Sequence, residues 1–121
     1  MEFETAIKAR VVKDYEASDP NPLVMKAREE LWVGGRDTTW PAFVRCRNGE
    51  GNEGWVPERY LERNGEIGVA RVDYSAVELT VSSGEILFLE QEVGGWFWAR
   101  MEAGERGWIP AAHVETIQPE T

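Results

Sequence analysis

The sequence predicts an all-β protein made of two small barrels of five short strands each, arranged one after the other. The first observation is an internal repeat: Gly54-Trp55-Val56-Pro57 returns as Gly107-Trp108-Ile109-Pro110. Each copy follows an Asp-Tyr pair, Asp14-Tyr15 in the first and Asp73-Tyr74 in the second. The second observation is that short β-rich runs, separated by Gly-containing turns, occur in the same order in both copies. Two modules of one fold are the expected result.

The repeat predicts the domain boundaries. We expect one domain at residues 1–64 and a second at residues 65–121. Domains of this size fold alone but with marginal stability, so two of them would benefit from a shared interface. The junction at residues 62–66 is too short to be a free linker, which favours a fixed geometry between the modules.

Each predicted barrel is built from the same series of strands. An opening strand rich in β-branched residues precedes the Asp-Tyr pair, and two apolar strands and a closing strand follow it. A Gly-Gly loop, at residues 34–35 and 94–95, separates the two apolar strands. The first three predicted strands are residues 9–13, 30–33 and 43–47 in one copy, and 69–72, 85–89 and 96–100 in the other. We find no helical period and expect only a short 3₁₀ turn after each closing strand.

The charge is strongly acidic and unevenly distributed. The net charge is −9, and residues 65–121 carry three Lys/Arg against ten Asp/Glu, whereas residues 1–64 carry ten against twelve. Nucleic acids and anionic membranes need a basic face, so we predict no binding to either. The excess acid either steers a basic partner toward the protein or keeps a small protein soluble.

The chain has no apolar run of the roughly 18–20 residues that span a bilayer. Its first residues, Met1-Glu2-Phe3-Glu4, are acidic, unlike a signal peptide. The single cysteine, Cys46, cannot form an internal disulfide. We therefore predict a cytoplasmic protein.

Residues of catalytic type are too few to form a recognisable active site. With one histidine, His113, and one cysteine, Cys46, the chain has no zinc set and no nucleophile–histidine pair. The glycines lie in hairpins rather than in a phosphate-binding loop. We predict no enzyme activity, no metal and no cofactor, and we expect Cys46 to be a small buried apolar residue.

The order of motifs resembles the Src homology 3 (SH3) domain. The second segment follows that family through Ala70-Arg71-Val72-Asp73-Tyr74, Glu78-Leu79-Thr80-Val81, Trp96-Phe97-Trp98-Ala99-Arg100 and Gly107-Trp108-Ile109-Pro110. The first segment is looser, and its Trp40-Pro41-Ala42-Phe43-Val44-Arg45-Cys46 and Trp55-Val56-Pro57-Glu58-Arg59-Tyr60-Leu61 resemble variant SH3 domains of bacteria. The resemblance implies two five-stranded SH3-like barrels in tandem.

The resemblance also implies an aromatic groove that binds a Pro-rich strand, with acidic residues that pair with Arg or Lys of the ligand. By position in this sequence, the groove residues are Tyr15, Phe43, Pro57 and Tyr60 in the first segment and Tyr74, Trp96, Pro110 and His113 in the second. Trp40 either replaces the indole missing at Phe43 or braces its own loop. The acidic candidates are Glu16 and Asp19 in the first segment and Glu78 in the second.

The chain departs from the family at the groove. Lys13 and Val72 stand where the first tyrosine of Tyr-Asp-Tyr is usual, and His113 stands where a tyrosine is usual. Two hypotheses follow. In the first, the protein is a non-catalytic interaction module that binds a protein or a peptide, Pro-rich with Arg or Lys, through these grooves. In the second, it is a structural protein with vestigial grooves whose barrels pack on each other or on a fixed partner.

Overall fold

The structure, a computed structural model, describes residues 1–117, which contain strands and two 3₁₀ turns but no α-helix. The 3₁₀ turns are Glu58–Tyr60 and Ala111–His113, each directly after a closing strand, as expected. The strands are β1 (Glu2–Val11), β2 (Val24–Met25), β3 (Glu30–Arg36), β4 (Phe43–Arg47), β5 (Glu53–Pro57), β6 (Leu61–Asn64), β7 (Ile67–Ala70), β8 (Tyr74–Ser75), β9 (Ile86–Val93), β10 (Trp96–Met101), β11 (Arg106–Pro110) and β12 (Val114–Thr116). The predicted all-β, SH3-like fold class is confirmed. No helix within these residues is long and apolar enough to cross a membrane.

The contacts divide the chain into two compact units. Unit 1 combines residues 1–18 with the C-terminal part of the chain from Glu78, and unit 2 is the continuous segment Asp19–Val77. The predicted division between residues 64 and 65 differs from this one, because the chain passes between the units after Ser18 and again after Val77.

Unit 2 contains a five-stranded sheet in the order β5-β4-β3-β7-β6, and β2 pairs with β8. The expected inter-domain junction is a hairpin turn inside this unit. Leu61 pairs with Ala70 and Asn64 with Ile67, so only Gly65 and Glu66 lie between β6 and β7. Gly65 has φ +65°, the left-handed conformation that glycine adopts without strain. A two-residue link returns the chain antiparallel beside the strand it has left, and β7 therefore completes unit 2.

Unit 1 contains a sheet with the same arrangement, β11-β10-β9-β1-β12. Here β1 lies between β9 and β12, and Ala9 pairs with Leu87 on one side and Thr116 on the other. This is the place that β7 takes in unit 2, between β3 and β6. Each opening strand thus belongs to the unit that is built mainly from the other predicted segment.

The cores show why each opening strand suits its own unit. In unit 1 the fully buried Ala9 and Val11 of β1 pack among Leu87, Leu89 and Ile109. The inward residues of β7 are smaller, Gly68 and Ala70. A Cβ atom at Gly68 would lie only 2.9 Å from Val33 Cγ2, so an alanine at this position would clash in unit 2.

Candidate functional site

Unit 1 brings four of the predicted groove residues together. The ring of Tyr15 meets Trp96 edge-on, with centroids 5.9 Å apart, and meets His113 edge-on at 5.1 Å. Trp96 is the cross-strand partner of Pro110, which directly precedes the 3₁₀ turn that carries His113. The result is an aromatic cluster of half-buried Tyr15, Trp96 and His113 beside buried Pro110.

The backbone fixes the positions of these side chains. Tyr15, four residues after the end of β1, exchanges two backbone hydrogen bonds with Val81, at 2.9 and 2.8 Å, which fix its position. Trp96 follows a tight turn in which Gly94 and Gly95 have φ +56° and +93°. Residues other than glycine rarely adopt these backbone angles. The Gly-Gly pair therefore makes the turn that places Trp96 at the start of β10.

An acidic residue is held beside the cluster. The Tyr15 hydroxyl donates to Glu78 Oε1 at 2.6 Å, and the backbone N–H of Ser18 donates to the same oxygen at 3.1 Å. The Ser18 hydroxyl donates to both carboxylate oxygens, at 3.1 and 3.3 Å. Hydrogen bonds of this kind to a carboxylate fix its position.

The pKa of the Tyr15 phenol is raised well above its ordinary value, first by burial and then by the hydrogen bond to Glu78. Both effects favour the neutral phenol, since an anion would be desolvated and would face a carboxylate. Tyr15 therefore remains a hydrogen-bond donor to Glu78 over the physiological pH range.

His113 is oriented by backbone carbonyls. Its Nδ1 lies 3.2 Å from the carbonyl oxygen of Lys13 and 3.1 Å from that of Asp14. Because carbonyl oxygens only accept, we assign the hydrogen to Nδ1. These contacts hold the ring against Tyr15, at a position where the SH3 family usually has a tyrosine.

In unit 2 most of the predicted groove residues are more deeply buried than those of the unit 1 cluster. The Tyr74 side chain is only 8% exposed, and its hydroxyl donates to the carbonyl oxygen of Trp55 at 2.9 Å. Phe43 is 5% exposed and pairs across strands with buried Pro57. Tyr60 stays half-buried, meets Tyr74 edge-on at 5.7 Å and lies beneath the guanidinium of Arg59 at 5.5 Å. In this unit most of the predicted groove residues belong to the core.

Trp40 lies in the loop between β3 and β4 and is half-buried. Its carbonyl oxygen accepts the N–H of Phe43 at 3.0 Å, and Asp37 N–H donates to the Phe43 carbonyl at 3.0 Å. These bonds close the loop onto β4. Both bonds are made by the backbone, so the two roles predicted for the Trp40 side chain stay predictions.

The partners of the two Asp-Tyr tyrosines differ from those expected. The sequence grouped Tyr15 with Tyr60 and Tyr74 with Trp96, whereas the structure pairs Tyr15 with Trp96 and Tyr74 with Tyr60. The reason is the placement of β1 in unit 1 and of β7 in unit 2, since each tyrosine follows its own opening strand.

Of the three acidic candidates, Glu78 alone has a hydrogen bond to a groove aromatic within residues 1–117. Glu16 is exposed, and Asp19 accepts the N–H of Asn21 at 2.9 Å within its own loop. The sequence did not point to Ser18, because its contact with Glu78 joins residues sixty apart along the chain.

Cys46 is buried, as expected, at 2% exposure. Burial raises the pKa of its thiol to about 11, so the side chain is a neutral core residue rather than a reactive thiolate. In the part of the chain that the structure describes, no group of three His, Cys, Asp or Glu residues is placed to hold a metal ion.

Comparisons with known proteins point to the same fold. A family model described as the variant SH3 domain matches residues 8–63, from β1 to β6. An SH3 and F-BAR domain-containing protein of Dictyostelium discoideum is 27% identical over 125 residues, which is 89% of this chain and 23% of that protein. Myosin-1 of Yarrowia lipolytica is 37% identical over 43 residues, 34% of this chain and 4% of its own length. The chain thus spans less than a quarter of the length of these relatives, and its residues 8–63 are similar to a variant SH3 domain.

Proposed function

We propose that unit 1 is a non-catalytic peptide-binding module for an extended, Pro-rich segment that carries Arg or Lys. The observation that supports this most is the cluster of Tyr15, Trp96 and His113 beside Pro110, with Glu78 fixed at its side. Proline rings pack well on flat aromatic walls, and a polyproline II strand loses little entropy when it docks.

Charge supports a basic ligand. Within residues 1–117, Glu78 Oε2 accepts a single hydrogen bond, the 3.3 Å contact from Ser18, so it retains room to accept from an Arg or Lys of the peptide. Most of the net negative charge of the chain lies in residues 65–121, and most of those residues belong to unit 1. A field of this sign speeds encounter with a cation.

For unit 2 we propose a structural role as the second SH3-like barrel of a tandem pair, in line with the hypothesis of a vestigial groove. The burial of Phe43, Pro57 and Tyr74 supports this, because a ligand cannot stack on side chains that lie in the core. The single buried Cys46 suits a protein that works in a reducing compartment such as the cytoplasm.

The test is a peptide titration followed by NMR of the backbone amides and tryptophan indoles. A Pro-rich peptide with one Arg should shift signals of Tyr15, Trp96 and His113. Trp96→Ala should weaken binding by about tenfold or more, since buried aromatic anchors dominate small interfaces. The matched control is Trp32→Ala, which removes an exposed tryptophan of unit 2 and should leave this binding unchanged.

Glu78→Gln should weaken binding of the Arg peptide and reduce the dependence of its affinity on salt, because it removes the charge but keeps the shape. A control peptide with Gln in place of Arg should bind wild type and Glu78→Gln with equal affinity. Absence of any shift at the unit 1 cluster across Pro-rich peptides would show that this groove is not a peptide site.

A further inference from the structure

The outer face of the unit 2 sheet carries an exposed ladder of tryptophan and arginine. Trp32 of β3 is 49% exposed and lies under the guanidinium of Arg47, 5.1 Å from the ring centroid. Trp55 of β5 is 37% exposed and lies under Arg45 at 5.4 Å. Both pairs are direct cross-strand partners, so β4 presents its two arginines between the two indoles.

The corresponding face of unit 1 shows what such arginines bind. There Arg106 Nε donates to Glu90 Oε1 at 2.9 Å, and Arg100 Nε lies 3.9 Å from Glu90 Oε2. Arg100 also stacks on Phe88 at 4.7 Å, as Arg47 stacks on Trp32. A carboxylate from β9 therefore occupies the space beside the stacked arginine.

The repeat places a glycine at the position of that carboxylate in unit 2. Val33 corresponds to Leu89 and Arg47 to Arg100, so Gly34 corresponds to Glu90. Both residues lie at the same irregularity, where the pairing with the next strand slips after Val33 and after Leu89. The space beside the stacked arginine, which the Glu90 side chain fills in unit 1, is therefore open in unit 2.

The open space is a cleft of about 220 Å³ whose lining includes Trp32, Gly34, Arg45, Arg47, Glu53 and Glu66. Arg45 is paired with Glu53, at 3.5 Å. Within residues 1–117, Arg47 has no carboxylate at ion-pair distance, although it is the counterpart of Arg100. Stacking on an indole leaves the N–H edge of a guanidinium available for a bidentate carboxylate.

The backbone does not require glycine at this position. Gly34 does not have the left-handed φ that would demand it, and an added Cβ would meet its nearest neighbour, the Arg45 carbonyl oxygen, at an ordinary 3.5 Å. A side chain would fit here without strain. The missing side chain is what keeps the cleft open.

We propose that this cleft binds an acidic peptide segment of a partner protein. One Asp or Glu carboxylate takes the place that Glu90 fills in unit 1 and accepts hydrogen bonds from Arg47, while an adjacent apolar side chain packs on Trp32. Glu53 and Glu66 also line the cleft and repel further carboxylates, so only one acidic side chain of the segment enters it. The site lies within unit 2 and takes a ligand of opposite charge to that of the unit 1 groove, so it stands independently of the proposed function.

The test uses the full chain and a capped hexapeptide, Leu-Glu-Leu-Asp-Glu-Leu, titrated while the tryptophan indole and arginine Nε signals are followed by NMR. The acidic peptide should shift Trp32 and Arg47, and its apparent affinity should fall with salt. Gly34→Glu supplies the missing carboxylate from the chain itself and should abolish these shifts. Gly35→Glu adds the same charge one residue away, where an added Cβ meets nothing within 4 Å, and should retain binding within about twofold of wild type.

Arg47→Gln should weaken the binding about tenfold, because a hydrogen bond to a charged group is lost. The proposal would be overturned by equal shifts with the Gln/Asn version of the peptide, by binding that survives Gly34→Glu, or by no shift at all. Shifts caused by inorganic phosphate but not by the acidic peptide would also overturn it and would indicate a phosphate site. Native spectral dispersion in each variant excludes unfolding as the cause of a loss.

Discussion

Cys46 and Ala99 occupy equivalent places in the two units, on the inner face of β4 and of β10, and both are buried. A residue of this size is what the core accepts there. Tyr15 and Tyr74 are equivalent too, yet one bonds a carboxylate beside a half-buried cluster and the other bonds a backbone carbonyl inside its unit. At the scale of single residues, equivalent positions therefore share packing but differ in chemistry.

The Cys46 thiol should make stability depend on alkaline pH. Burial raises its pKa from about 9 to about 11, so the folded state holds the proton more tightly than the unfolded state. The stabilisation is fully present below about pH 9 and is lost as pH rises toward about 11. Between about pH 9 and about pH 11 the unfolding free energy of wild type should fall by about 1–3 kcal/mol more than that of Cys46→Ala, which lacks the thiol. Urea unfolding at each pH measures this difference. Parallel pH curves for both proteins would contradict this.

At the scale of elements, the choice between β1 and β7 depends on side-chain size. The inward residues of β1 are Ala9 and Val11, and those of β7 are Gly68 and Ala70. Each pair is matched to the space left by its neighbours. Exchanging them would place an extra methyl group against Val33 in unit 2 and would leave unfilled volume in unit 1.

Gly68→Ala should destabilise the protein by about 1–3 kcal/mol, because its Cβ would lie 2.9 Å from Val33 Cγ2 and a valine side chain cannot turn away easily. Combining it with Val33→Ala should recover part of that loss. A double-mutant cycle from denaturant unfolding should therefore show a favourable coupling of about 1 kcal/mol. Gly49→Ala, at an open position of ordinary backbone conformation, serves as the neutral control. Simple additivity of the two changes would exclude this clash as the cause.

At the scale of the whole molecule, unit 2 is continuous in sequence and unit 1 is not. The segment Asp19–Val77 contains all the strands of the unit 2 sheet, whereas unit 1 needs both ends of the described chain. A chain that ends at residue 64 would keep β1 without the strands it pairs with, and would lack β7.

We therefore expect a fragment of residues 19–77 to fold on its own and a fragment of residues 1–64 to fail. The first should show dispersed amide NMR signals and a cooperative thermal transition, because it keeps its complete sheet. The second should show neither, because the edge of β3 that β7 covers is left unpaired. A stable fold for residues 1–64 alone would instead support the division expected from the repeat.

Much of the fold can be predicted from the sequence. The Gly-Trp-(Val/Ile)-Pro repeat and the Asp-Tyr pairs lead to two sets of strands in the right order, with the 3₁₀ turns in place. The Gly-Gly loop is correct at Gly94-Gly95 but wrong at Gly34-Gly35, which lie inside β3. The grouping of the site residues cannot be predicted in the same way. Tyr15 and Trp96 lie in different predicted domains, and a pattern in sequence does not say which of two similar sheets an opening strand will join.

The sequence by itself determined the all-β class, the repeated order of strands and the residues that the two units share. Only the tertiary structure decided that β1 joins β9 and β12 while β7 joins β3 and β6. The physical reason is that the two opening strands are nearly interchangeable in pattern, so the choice rests on the two-residue turn at Gly65-Glu66 and on the packing of Gly68 against Val33. The correspondence of Gly34 to Glu90 likewise acquires meaning only from the structure, which shows that Glu90 pairs with arginines in its own sheet.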